Sequence, residues 1–354
     1  MKAATRPRPG HGQERLLVLD PRAQAYADFT ITDLPKFLRA GDTLVLNDAA
    51  TLPASLRVDA ELELRLMSRF DDGSWLALTL GCGDFTRPTE ARGAPRTIAE
   101  GARLDFGSGL SARVLGVDPK STRLVRIAFE QAESELWQAL YRAARPIQYA
   151  YLERPLALWD VQNAYAARPW AFELPSAGKP LDFEALFRIR ARGVGIACLT
   201  HAAGISSTGD AALDARLPIA ERYEIPEATA LAVNQARAFG KRVLAVGTSV
   251  TRALEAAAEL GPVRAGAAVT SLVLGPNARL RVVNGLLTGM HEPGTSHYSL
   301  LEAFAPRALL DQSFRYAEAR GYLQHEFGDS CLILPGALED APRPEREPRA
   351  LDPC

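Results

Sequence analysis

The chain reads as an α/β protein, a mixed or parallel sheet flanked by helices, with a small all-β module inserted into it. Three observations predict this class. In the C-terminal half, short apolar runs bounded by turn residues alternate with helix-like stretches. Between Leu56 and Phe129 the texture changes to five short β-prone runs separated by Gly-, Asp- and Pro-rich turns. With 354 residues, 47% of them hydrophobic and 23% charged, the chain can bury a large core and divide into two domains.

In chain order, Met1–Gln13 is basic with two prolines and is expected to be untethered, as is Ala337–Cys354, which mixes Pro, Arg and Glu. Leu16–Asp20 and Thr43–Asn47 read as buried strands, with a helix over Asp33–Ala40 between them. ELELRLM, WLALTL, ARLDF, SARVLGV and LVRIAF make the inserted module, and a helix follows at Ala132–Ala144. Alternation then sets in: helix Leu181–Arg192, strand Val194–Thr200, helix Ala228–Phe239, strand Arg242–Val246, helix Thr251–Leu260. Gly193, just past a basic last turn, is expected in left-handed backbone. Leu280–Leu287 reads as a buried strand, Thr288–Ser296 as a polar loop, and Ser299–Phe304 as helical. The expected division is a discontinuous α/β domain (14–55 and 145–336), a β-barrel module (56–144) and disordered tails (1–13 and 337–354).

Composition limits the partners. The formal net charge is −1, so contact with a polyanion requires a local basic patch rather than a global field. The N-terminus lacks an apolar h-region and no uncharged run could span a bilayer, so a cytoplasmic protein without membrane association is expected. Cys82, Cys198, Cys331 and Cys354 are scattered, with no zinc-binding spacing, so reduced thiols and no metal are expected. GxGxxG after a strand, GxxxxGK[ST], GxSxG and HExxH are all absent, which removes the signatures of dinucleotide, P-loop, serine-hydrolase and zincin chemistry.

Ligands of open α/β sheets sit beyond the carboxyl ends of strands. Three such ends carry polar residues: Asn47-Asp48, Thr200-His201 and Gly247-Thr248-Ser249. The loop with Thr288, His291, Glu292 and His297 could join them in one crevice. The segment RVLAVGTSVTRALE is a strand, a small-residue turn and a helix whose N-terminus can receive an anion; alternatively Thr248 or Ser249 simply caps it. Arg252 opposes the dipole of that first turn and therefore needs a partner, Glu255 or a ligand carboxylate. HEFGDS packs His325, Glu326 and Asp329 closely enough for acid–base work, or forms only a surface turn. Glu221 is either a poised carboxylate or a solvated charge.

GDTLVLNDAATLPASL (41–56), GKRVLAVGTSVTRALEAA (240–257), GLLTGMHEPGTSHYSLLEAF (285–304) and YLQHEFGDSCLI (322–333) together resemble the S-adenosylmethionine:tRNA ribosyltransferase-isomerase family of queuosine biosynthesis. The resemblance runs from about Arg15 to Leu334 and places Asn47, Asp48, Gly247, Thr248, Arg252, Glu255, His291, Pro293, Gly328 and Asp329 in register. It implies a large α/β domain around a flattened barrel-like sheet, with a smaller inserted β-barrel. It also implies that S-adenosylmethionine is a substrate donating its ribosyl group to a 7-deazaguanine base in tRNA, with adenine and methionine released. The chain departs from the family pattern at Ala49-Ala50, where an arginine is missing, at Leu174–Leu181, which lacks a histidine, and at Arg216–Ala220, ahead of the retained Glu221.

The implied chemistry needs a base for a C5′ proton acidified by the sulfonium, help for departing adenine, and anionic or aromatic surface near sulfur. Glu221 or His201 is the candidate base. Asp329 and Glu326 are candidates for sulfonium stabilisation or base work, and His291 for the adenine or ribose. Thr248, Ser249 and Arg252 would hold a carboxylate or phosphate. Arg142, Arg145, Arg154, Arg168, Arg188, Arg190 and Arg192 are the candidate tRNA face. A monomer is expected. Two other readings remain open at this point: S-adenosylmethionine chemistry with a different acceptor, and a non-catalytic binding protein on the same fold.

Overall fold

The computed structural model describes residues 1–10, 12–119 and 121–339. Its centre is a nine-stranded mixed sheet built from Arg15–Asp20 (β1), Ala25–Thr30 (β2), Thr43–Asn47 (β3), Gly195–His201 (β4), Glu221–Ile225 (β5), Val243–Val246 (β6), Gly266–Thr270 (β7), Gly285–Gly289 (β8) and Ser330–Ile333 (β9). The spatial order is β7-β5-β4-β3-β6-β8-β9-β1-β2. β3, β4, β6 and β8 run parallel, and β9 is antiparallel to β8. Every residue of β3, β6 and β9 is buried, as expected for strands covered on both faces.

Apart from the single turn Ala211–Asp214, the α-helices among the described residues are Glu133–Ala143 (α1), Phe183–Ala191 (α2), Glu227–Ala238 (α3), Thr248–Ala257 (α4), Ser296–Leu301 (α5) and Arg307–Ala319 (α6). α2 starts where the Asp182 carboxylate accepts from the Ala185 N–H, and it stops at Gly193, whose φ of 79° no β-carbon readily tolerates. Leu186 and Ile189 are its buried stripe. α3 packs against β3, β4 and β6, and α4 against the same strands and β8.

The inserted segment forms a six-stranded antiparallel barrel sheet, in spatial order Ser55–Asp59, Leu62–Arg69, Trp75–Leu80, Ser121–Phe129, Ser111–Asp118 and Arg103–Asp105. It has its own core, including Leu56, Leu64, Leu78, Leu110, Ala112 and Ile127, all fully buried. α1 closes this core with Leu136, Ala139 and Leu140.

Four expectations need correction. Asp33–Ala40 is a 3-10 turn over Ile31–Phe37 containing Pro35 rather than an α-helix. The strand expected from Leu280 begins only at Gly285, because the Glu255 carboxylate takes the N–H groups of Arg281, Val282 and Val283 that a ladder would use. The first residues are not a free tail. Lys2–Ala3 pairs in parallel with Leu323–Gln324, Ala4 is buried, and the Arg8 guanidinium donates to Asp329 Oδ1 at 2.6 Å. At the other end Leu338 N–H donates to Asp20, which tethers 337–339, and the rest of the expected C-terminal tail lies outside the described residues.

Candidate active site

The carboxyl ends of β3, β4, β6 and β8 converge as the parallel register requires. β5 lies antiparallel beside β4, with His201 opposite Tyr223, which brings Glu221 at the start of β5 back over the end of β4. There Glu221 Oε2 accepts from Arg252 Nη1 at 2.5 Å, Oε1 accepts from the Gly204 N–H at 2.8 Å, and His201 Nε2 lies 3.5 Å from Oε2. Arg252 also donates through Nε to the Leu272 carbonyl, and its buried Nη2 is unpartnered. Its ion partner is therefore Glu221 and not Glu255, which is committed to backbone N–H groups.

His201 is fully buried, and neither ring nitrogen has a hydrogen-bond partner among the described residues. Burial pushes its pKa down to about 4, against the pull of Glu221. It is thus a neutral imidazole at pH 7, placed behind Glu221. Asn47 holds this end of β4 in place: its Oδ1 accepts from the His201 N–H and its Nδ2 donates to the His201 carbonyl. Asp48 accepts from Thr200 Oγ1 at 2.6 Å, and burial raises its pKa despite that bond and nearby Arg168.

α4 begins beyond Gly247, whose φ is 96°. Neither Thr248 nor Ser249 caps this helix, so its first N–H groups have no side-chain acceptor. Ser249 Oγ instead lies 3.4 Å from Asn47 Nδ2. At the end of β8, Thr288 Oγ1 meets His291 Nε2 at 2.7 Å, and the His291 ring stacks on His297 at 5.1 Å and 10°. Burial lowers both: His291 falls to about 3, and His297 falls too, offset by Glu221 and reinforced by Arg252. His297 thus shares the field of the Glu221–Arg252 pair and links it to His291.

HEFGDS is a turn ahead of the last strand, closed by the Gly328 N–H on the His325 carbonyl at 3.0 Å, with His325 exposed and Asp329 buried. Glu326 Oε2 accepts from the Tyr151 hydroxyl, and burial, with Glu173 adding to it, pushes Glu326 up to about 7. His325, at φ 69°, stacks on Tyr151 at 4.2 Å, and Tyr151 stacks on Tyr149, which donates to Glu173. Asp329 is heavily engaged: Oδ1 accepts from Arg8 and from the Arg15 N–H at 2.9 Å, and Oδ2 accepts from the Leu323 N–H at 2.8 Å. It anchors structure, and a proton-transfer role does not fit those bonds. Arg8, Lys179, Glu14, His325 and Glu326 help line a cavity of about 170 Å³ beside it. Glu292 is exposed and accepts from Gln324 at 2.5 Å.

Glu221, His201, Arg252, His297, His291 and Thr288 are therefore brought together, with Asp48 and Ser249 at the edge. Glu292 stands apart. Sequence reasoning missed Tyr149, Tyr151, Glu173 and Glu14. The alternation in Tyr149-Ala150-Tyr151 was the only available signal, and it has no regular strand around it. Glu14, whose Oε2 is buried without a partner, was assigned to no site.

The sequence profile described as queuosine biosynthesis protein matches residues 1–333. The chain belongs to this queuosine biosynthesis family. Among similar proteins, an S-adenosylmethionine:tRNA ribosyltransferase-isomerase of Gloeobacter violaceus is 35% identical over 344 residues, covering 94% of this chain and 93% of that protein. One of the same name from Thermus thermophilus is 35% identical over 321 residues, covering 86% and 87%. A crystal structure of S-adenosylmethionine tRNA ribosyltransferase from Thermotoga maritima shares the fold, with a TM-score of 0.52, 24% identity, and 94% of this chain and 96% of that one covered. Among the described residues no helix is long and apolar enough to cross a membrane, and no group of three His, Cys, Asp or Glu residues is arranged to hold a metal.

Proposed function

We propose that this chain transfers and isomerises the ribosyl group of S-adenosylmethionine onto a 7-deazaguanine base in tRNA, releasing adenine and methionine. It does so as a cytoplasmic monomer, in two parts: the α/β domain and the inserted barrel at 56–144. Family membership supports the reaction, and the names of the relatives favour tRNA over a small acceptor or a purely binding role. The structural observation that carries the site is Glu221, a carboxylate gripped by Arg252 and Gly204 yet 10% exposed, with a neutral imidazole behind it.

In this reading Glu221 is the base for the acidified C5′ proton. Each of its oxygens accepts one hydrogen bond and keeps a lone pair free. His201 is a positioning residue, since nothing of it reaches the surface. His297 and His291, uncharged at neutral pH, offer flat polarizable faces that a sulfonium or an adenine can approach without cation–cation repulsion. The uncapped N–H groups of α4 receive the methionine carboxylate. Glu326, with a pKa near 7, is suited to give or take a proton, and assisting adenine departure is the step that needs one.

The test is incubation with S-adenosylmethionine and tRNA followed by chromatography for adenine. Release that requires both substrates, and that falls by about two orders of magnitude or more in Glu221→Gln, is expected. Release unaffected by Glu221→Gln would remove the base assignment, and no release from the unaltered protein would remove the reaction.

A further inference from the structure

Between the barrel and β5 lies a second recess, a narrow crevice of about 70 Å³ that Glu221 itself lines. Its other walls are largely aromatic: Trp75 and Trp137 from the barrel side, Trp170 and Phe172 from the segment beside β4. The rings meet edge to face, Trp75 against Trp137 at 6.2 Å and 71°, and against Phe172 at 6.2 Å and 88°. Arg69 lies 5.3 Å from the Trp75 ring centre and 5.5 Å from that of Trp137. On the far wall the exposed Arg222 covers Trp170 at 4.2 Å and forms no ion pair among the described residues.

Two buried donors on this crevice are orphaned. Trp75 is 99% buried, and its indole N–H has no acceptor; the Arg69 Nε–H has none either. Both atoms lie inside the wall and present no reachable surface to the crevice. The crevice thus offers the part-exposed rings of Trp137 and Trp170 and one carboxylate, Glu221, with free lone pairs. A flat heterocycle with N–H groups complements that set, as the edge of guanine does. Arg69 is held by Glu133 at 2.8 Å, while Arg222 at the mouth has no ion pair among the described residues and is the charge that favours a ligand attached to phosphates.

We infer that this crevice takes the acceptor base of the tRNA, unstacked from its neighbours and held between Trp170 and Trp137, with its N–H edge toward Glu221. The inference rests on the reaction proposed above and assigns its second substrate a place. Enzymes that work on a base within a nucleic acid withdraw it from its stack, and base–aromatic stacking is tolerant of substituents on the ring.

The experiment measures binding of two tRNAs, one with guanine at the acceptor position and one abasic there, to the full chain and to Trp170→Ala. For the unaltered chain the abasic tRNA should bind at least about fivefold more weakly. In Trp170→Ala that penalty should shrink to within about twofold, while Trp170→Phe should restore it. S-adenosylmethionine affinity by calorimetry should stay within about twofold in both variants, as in the surface control Phe239→Ala. A penalty undiminished in Trp170→Ala, or loss of S-adenosylmethionine affinity with the penalty intact, overturns the assignment. Absence of adenine release would sink the reaction alone, since the abasic penalty is read without turnover.

Discussion

Glu221 and Arg252, 31 residues apart in sequence, meet at 2.5 Å across the end of the sheet, and each is only 10% exposed at its side chain. Removing one member of so buried a pair strands the other. Arg252→Ala should cost about 3–5 kcal/mol of stability, and Glu221→Gln less, since the amide still accepts from Arg252 and Gly204. The double variant Glu221→Gln/Arg252→Met should recover part of the loss. Denaturant titration of the three proteins checks this, and additive losses would show that the two side chains act independently.

The histidines make stability depend on acid in a definite direction. His201 and His291 sit at about 4 and about 3 when folded, against 6.5 for the unfolded chain. Between those values the unfolded state binds more protons, so their contribution is complete above pH 6.5 and is lost as pH falls toward 4 and then 3, at up to about 1.4 kcal/mol per pH unit each. Melting temperatures at pH 7, 6 and 5 should fall progressively, and the fall should be shallower in His291→Phe.

Glu326 works in the opposite sense. Its pKa of about 7, raised from 4.5, means the folded state holds the proton that the unfolded state has released. Its contribution is present below pH 4.5 and disappears as pH rises through 7. Glu326→Gln should therefore gain stability relative to the unaltered chain at pH 7.5 and gain little at pH 4.5. Equal effects at both values would contradict this.

Asp329→Asn should loosen the N-terminal segment before anything else. It weakens the bonds from Arg8 and from the backbone of Arg15 and Leu323, a loss of about 1–3 kcal/mol. Limited proteolysis should cut near Arg8 sooner than in the unaltered protein. If the variant instead kept its protease pattern and stability but lost adenine release, Asp329 would belong to the chemistry after all.

Much of the fold was legible because its signals are local. Apolar runs gave β1, β3, β4 and β6, amphipathic stretches gave α1 to α4, and the change of texture at Leu56 gave the barrel. The failures share a cause: side chains distant in sequence intervene. Glu255 converts an expected strand at Leu280 into loop, and pairing with 323–324 turns a tail of ordinary linker composition into a strand. The candidate site was half legible. Its residue types and the register of the AVGT and HEPGTSH segments pointed to Glu221, Arg252 and His291. Sequence could not show that Arg252 reaches Glu221, or that Asp329 spends its oxygens on structure. Nor could it divide the arginines, of which Arg168 pairs with Glu224 and Arg154 with Asp160, while Arg188 and Arg190 lie on α2 and Arg142 on α1.

The strand order also fixes when the protein can become whole. Among the described residues β9, formed by residues 330–333, is the only strand between β8 and β1. The barrel strands span 55–129 and can pair while the ribosome is still adding the sheet's later members. The sheet itself stays split into two parts until the penultimate stretch of chain emerges and is inserted between them. The cavity that Arg8 and Asp329 share closes in that same event, so nascent chains stalled short of residue 330 would carry a finished barrel and the strands that hold Glu221, but no Arg8–Asp329 cavity.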